Sequence, residues 1–220
     1  MNNPTVPRRS FVSSLAVGSA ALAAACAPGA ADSMAAAAPG DAMDVWFGGM
    51  TGTYKAIYDC AGASSGPDGV MFARNLIKFS GDELGTADAD NSVVVCFRHY
   101  ATPYGYNDAM WAKYPGMAAA VKIDDPKTMK PATRNWLLHD LVGGEEGADI
   151  PSITARGVQF AVCGAATKFF AKVLAGATGD AAAIEADLGA NLIPNAKMAP
   201  AGVVAVQRAQ KAGFAYTYAG

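Results

Sequence analysis

Four side chains stand where chemistry would be done if the strands that carry them lie side by side: Cys60, Arg98, His99 and Cys163. They end, or directly follow, three segments that read as β-strands, Tyr54 to Cys60, Ser92 to Phe97 and Val158 to Cys163. In an open parallel sheet, ligands bind beyond the carboxyl ends of the strands. Two thiols, a guanidinium and an imidazole would then gather at one sheet edge. Cys163 carries the sharpest expectation. Gly164 follows it and a helix is expected from about Ala165, which aims amide groups and the positive end of a helix dipole at the sulfur. Such a setting favours a thiolate, the form that attacks or accepts sulfur. The competing reading is an inert thiol filling a small space among alanines, since free Cys is among the most buried residue types. Arg98-His99 divides in the same way, between an acid–base group or a metal or haem ligand and a capped structural residue.

Other candidates are weaker. Cys96 lies within its strand and belongs to the core. Processing before residue 32 leaves Cys60, Cys96 and Cys163, an odd number, so at least one thiol stays unpaired. A Cys60–Cys163 disulfide would be a masked form, and geometry decides it. Tyr100, Tyr104, Tyr106, Trp111 and Tyr114 line a pocket or pack as core; Tyr104 and Asn107 are carried as ligand-binding candidates beside Cys60. His139, next to Asp140, reads as a solvated helix residue. With two His in the chain a three-His metal site is excluded, and Cys60, His99 and Cys163 have no diagnostic metal-ligand spacing. There is no phosphate loop ending in Lys-Ser/Thr and no Gly-x-Ser-x-Gly elbow, and Gly62 to Gly66 lacks the dinucleotide spacing, so no cofactor is expected.

The elements that must position these residues alternate. Gly62 to Gly69 reads as a loop, with Asp68 capping a helix through Phe79. Ser92 to Phe97 is a near-continuous apolar run, as in a strand buried on both faces. Asn107 or Asp108 opens a helix ending near Pro115. Residues 122–150 break the rhythm as an insertion, with a helix over Arg134 to Val142, of the kind that forms a lid or an interface. Helices follow over Ala165 to Leu174, Asp180 to Leu188 and Ala201 to Ala212, with strands Ala196 to Ala199 and Phe214 to Tyr218. This order predicts a three-layer α/β domain over 51–220, a mostly parallel sheet of about five strands with helices on both faces.

The first 31 residues read as an address. Arg8-Arg9-Ser10-Phe11-Val12, a weakly apolar run from Ser14 to Ala25 and small residues after it make a twin-arginine export signal. Ala23-Ala24-Ala25-Cys26 resembles a lipoprotein site, and Gly29-Ala30-Ala31 suits ordinary cleavage, so a lipid anchor on Cys26 stays open. The expected location is the periplasm. Residues 32–50, rich in Ala, Gly, Pro and Asp, read as a flexible tether. Of the 220 residues 52% are apolar and 16% charged, enough for a packed core. The net charge of −2, with no basic run, leaves no electrostatic footprint for nucleic acid. Beyond the N-terminus no apolar stretch reaches the roughly 20 residues that span a bilayer.

The order of motifs resembles the DsrE-like family. The resemblance rests on Val93 to His99, on Gly157 to Gly164, and on the tail from Leu192-Ile193-Pro194-Asn195-Ala196 through Gly202-Val203 to Gly213-Phe214-Ala215-Tyr216. It implies a compact parallel-sheet domain that forms trimers or hexamers. In the sulfur-relay branch a Cys matching Cys163 passes persulfide sulfur between proteins, so the resemblance implies that role here, with a protein as sulfur donor or acceptor. Arg98 or His99 would stabilise the anionic persulfide. Export, the segment from Arg98 to Pro103 and the long middle region depart from the sulfur-relay pattern. The alternative is a non-catalytic binding or oligomeric accessory module for a small ligand or haem.

Overall fold

The structure is a computed structural model and describes residues 39–220. The export signal, Cys26 and residues 32–38 of the expected tether lie outside the described residues. Where the tether was expected to continue, a helix α1 (Pro39–Gly48) forms instead. Met43, Trp46, Phe47 and Met50 recur at three- and four-residue spacing and are buried together. That stripe gives α1 a core-facing side. Trp46 Nε1 also donates to Gln159 Oε1 at 2.6 Å.

The first strand, β1 (Tyr54–Cys60), matches its expected bounds. The next helix, α2 (Ser65–Leu84), takes in most of the expected Gly62–Gly69 loop. Pro67 sits in its first turn, where no intrahelical N–H is needed. Gly66 and Gly69 are there for space: a Cβ on Gly66 would lie 2.3 Å from Tyr104 Cδ2, and one on Gly69 2.3 Å from Cys60 Sγ. Gly85, at φ 69°, ends the helix in the left-handed conformation that suits glycine.

The second strand, β2 (Asn91–Phe97), leads through a 3₁₀ stretch, His99–Gly105, to α3 (Asp108–Lys113) and α4 (Gly116–Val121). Two-residue strands β3 (Asp124–Asp125) and β4 (Lys130–Pro131) form a small antiparallel hairpin. The helix expected over Arg134 to Val142 is replaced by 3₁₀ turns at Trp136–Leu138 and Val142–Gly144. Asn135 and the glycine pair explain this. The Asn135 side chain donates 2.9 Å bonds to the carbonyls of Tyr104 and Tyr106, and Gly143 and Gly144 take positive φ. A short helix α5 (Ile150–Ala155), capped by Asp149, closes the region. Then come β5 (Gln159–Cys163), α6 (Gly164–Ala175), α7 (Ala181–Ala190), β6 (Ala196–Ala199), α8 (Gly202–Lys211) and β7 (Ala215–Tyr218).

The five long strands form one sheet in the order β6-β5-β2-β1-β7, every neighbouring pair parallel. Period-two alternation sorts β2 between two cores. Val93, Val95 and Phe97 face α2 and residues 122–155, whereas Val94 and Cys96 face α1 and α8. Helices therefore cover both sheet faces, a three-layer α/β fold. Among the described residues no helix is long and apolar enough to cross a membrane.

Asp140 clasps the hairpin to the 3₁₀ turns through Lys127 and Arg134. Chiefly its bond with Lys127, and then the nearby Arg134, hold its carboxyl below the usual carboxylate range. A depressed folded value stabilises the native state fully above the unfolded value, about pH 4, and that share fades as pH falls through the folded value. Asp140→Asn should lower the melting temperature at neutral pH, with the gap to wild type closing as the pH drops below about 4. A gap that persists undiminished in acid would place the effect elsewhere.

Candidate functional site

Cys163 ends β5 and is also the N-cap of α6, so one residue joins the buried sheet to a helix start. Its Sγ accepts the Ala166 N–H at 3.3 Å, and its carbonyl accepts Thr167 Oγ1 at 2.9 Å. The residue is only 6% exposed, yet it forms part of the wall of a cavity of about 380 Å3. Arg98, His99 and Tyr100 line the same cavity from the end of β2. Ala165, Ala166 and Phe169 line it from α6, and Ala201, Gly202 and Val203 from the start of α8.

Arg98 is held by an acid that sequence reasoning missed. Its Nε and Nη2 donate to Asp59 Oδ1 and Oδ2 at 2.6 and 2.9 Å, a fork on a carboxylate that is 2% exposed. Tyr216 donates its hydroxyl to the same carboxylate at 2.9 Å. The hydrogen bond to Asp59 raises the Arg98 pKa further, so the guanidinium stays charged. Burial first, then the bond to Asp59, raises the Tyr216 phenol. The signal for Asp59 was its type: an acid in a buried strand needs a cationic or hydrogen-bonding partner. Gly202 lets α8 rest on the Arg98 stem, because a Cβ there would lie 2.3 Å from Arg98 Cβ.

His99 is exposed and sits at φ 50°, a left-handed conformation uncommon for residues with a side chain, although His is among those enriched there. Its ring meets Tyr100 edge-on at 4.0 Å.

No family model, curated protein or solved structure matches this chain.

The fold brings together three of the six candidates, Arg98, His99 and Cys163, and keeps Cys60, Tyr104 and Asn107 away from the cavity. Cys60 pairs in register with Phe97, and Phe97 with Val162, which places all three on the α2 face and Cys163 on the other. Cys60 is sealed against Gly69, and burial pushes its thiol pKa well up. The three described thiols are free, and no Cys60–Cys163 bond forms. Nor do Cys60, His99 and Cys163 meet as metal ligands, the sheet lying between them. Tyr104 is packed among Phe97, Trp111 and Trp136 on the α2 side, where burial raises its phenol pKa. Asn107 is the N-cap of α3 and accepts from Met110 N at 3.3 Å. Cys96 lies in the core below the site, its Sγ 3.7 Å from the Gly202 carbonyl, and burial raises its pKa. The insertion is not a lid over this cavity: none of residues 122–150 lines it, and Trp136, Leu137 and Ile150 pack into the core of the α2 face. His139, expected on a solvated helix, follows a 3₁₀ turn and bonds Asp108 at 2.5 Å.

This arrangement puts one thiol in the wall of a largely apolar cavity, with a helix amide on its sulfur. A sulfur anion there meets the N-terminal end of α6. The adjacent guanidinium is already matched by Asp59, so little of its charge is left for a ligand.

Proposed function

We propose that this protein is an exported, DsrE-like sulfur handler in which Cys163 accepts sulfane sulfur as a persulfide. The observation that carries the reading is the position of Cys163, an N-cap thiol in the wall of the cavity that Arg98 and His99 share. The Cys163 thiolate attacks the outer sulfur of a donor persulfide, R–S–SH. A new S–S bond forms at Cys163, the donor's own S–S bond breaks, and the electron pair leaves on the donor thiolate. No oxidant is consumed. Arg98 is engaged by Asp59, so the Ala166 amide and His99 remain to receive charge on the loaded sulfur. The reading includes the twin-arginine address, a periplasmic location and a trimer or hexamer, which light scattering of the purified protein tests.

Incubation with inorganic polysulfide, followed by intact-mass analysis, tests the role of Cys163. Wild type should gain the mass of one sulfur atom, lost again on reduction. Cys163→Ser should not gain it, whereas Cys60→Ser and Cys96→Ser should load as wild type does. A Cys163→Ser protein that loads as well as wild type contradicts the role.

A second reading draws on the apolar lining alone, and treats the cavity as a non-catalytic site for a small apolar ligand or haem. It requires ligand binding by wild type, together with no sulfur uptake.

A further inference from the structure

The cavity over Cys163 is far larger than one sulfur atom needs. Its volume of about 380 Å3 would hold on the order of ten water-sized groups, at about 30 Å3 each. Its lining divides by exposure. Tyr100, Phe169 and Val203 are 46%, 54% and 61% exposed, and His99 is exposed beside them. Large apolar side chains left bare around one cavity mark a place that receives an apolar group. In the less exposed part of the lining, Ala166 N–H bonds the Cys163 sulfur, and α8 begins at Ala201, an N-cap with no side-chain bond over its first amides. Arg98 is held through Nε and Nη2 by Asp59, whose charge offsets that of the guanidinium and weakens its pull on a highly charged inorganic anion.

From this polarity we infer that the sulfur donor is a small amphiphile, with an anionic sulfane-sulfur head and an apolar organic group behind it. The inference rests on Cys163 being the acceptor and adds the class of molecule that delivers the sulfur. The head lies at the strand ends, where the starts of α6 and α8 favour negative charge. The organic group packs against Tyr100, Phe169 and Val203. A thiosulfonate, R–SO2–S⁻, has this form. The Cys163 thiolate attacks its terminal sulfur, an S–S bond forms, the bond to the sulfonyl sulfur breaks, and the electron pair leaves on the sulfinate R–SO2⁻. Cys163 is left as the persulfide anion, and charge and atoms balance.

Benzenethiosulfonate and methanethiosulfonate present the same reacting head on a large and a small apolar group. Loading of Cys163 in the full chain is followed by intact mass, each rate being divided by that salt's rate with free cysteine. The benzene compound should load at least about tenfold faster, the discrimination that small differences in apolar contact supply. Phe169→Ser and Val203→Ser change exposed side chains and should shrink that ratio, chiefly by slowing the benzene compound. Equal corrected rates, or a ratio that survives both substitutions, overturn the donor class while Cys163 remains the acceptor. If neither these salts nor polysulfide loads Cys163, the acceptor role falls, and the donor with it.

Discussion

Arg98→Ala should cost about 3 kcal/mol of folding stability, the low end of the range for breaking a buried ion pair, since the Arg98 side chain is 23% exposed. Asp59 is the reason. Its carboxylate is almost sealed from water and takes both bonds of the guanidinium fork, with Tyr216 as its remaining named donor. Removal of Arg98 leaves a buried charge with one hydroxyl partner. Domains of this kind are stable by about 5–15 kcal/mol, so the loss is a large share of the total. Asp59→Asn combined with Arg98→Met should recover much of it, because neither residue then brings a charge into the sheet edge. Denaturant unfolding of wild type and the two variants checks this. A single mutant as stable as the double mutant would mean that the fork has little structural weight.

Gly202→Val should have the next largest effect, about 1–3 kcal/mol, through overpacking. The added Cβ would lie 2.3 Å from Arg98 Cβ, 3.0 Å from its Cδ and 3.1 Å from its Cγ. These atoms belong to the stem, and Asp59 pins the far end, so the side chain cannot swing clear. The start of α8 must move instead, taking Ala201 and Val203 with it from the cavity wall. Sulfur loading at Cys163 should therefore slow even where the variant remains folded. Thermal melting and intact-mass loading on one preparation separate the two effects. Full stability with wild-type loading would show that α8 does not set the shape of the cavity.

Much of the sheet was legible because its strands are dense in apolar residues. Tyr54 to Cys60 and Ala196 to Ala199 have the expected bounds, and the run Ser92 to Phe97 is one residue short of β2. The side on which each strand end points was not legible. Cys60 and Cys163 both close strands at the same sheet edge, but strand register decides the facing. Because Cys60 aligns with Phe97 and Phe97 with Val162, Cys163 is one residue out of phase and faces α8. Glycine misled in a second way. Gly66 and Gly69 suggest a loop, whereas they permit close helix contacts with Tyr104 and Cys60. In α1 the composition suggested a tether, although Met43, Trp46 and Phe47, with Met50 just beyond the helix, already had a helical spacing. The Asp59–Arg98–Tyr216 cluster joins three strands distant in sequence, and only tertiary pairing reveals it.

Site-resolved alkylation of the folded protein tests most directly whether Cys163 is the one described thiol open to reagents. With limiting iodoacetamide and peptide mapping, Cys163 should be modified first, while Cys60 and Cys96 should react only after denaturation. Protection of Cys163 equal to that of Cys60 and Cys96 would contradict its place at the cavity wall and remove the basis for sulfur uptake there.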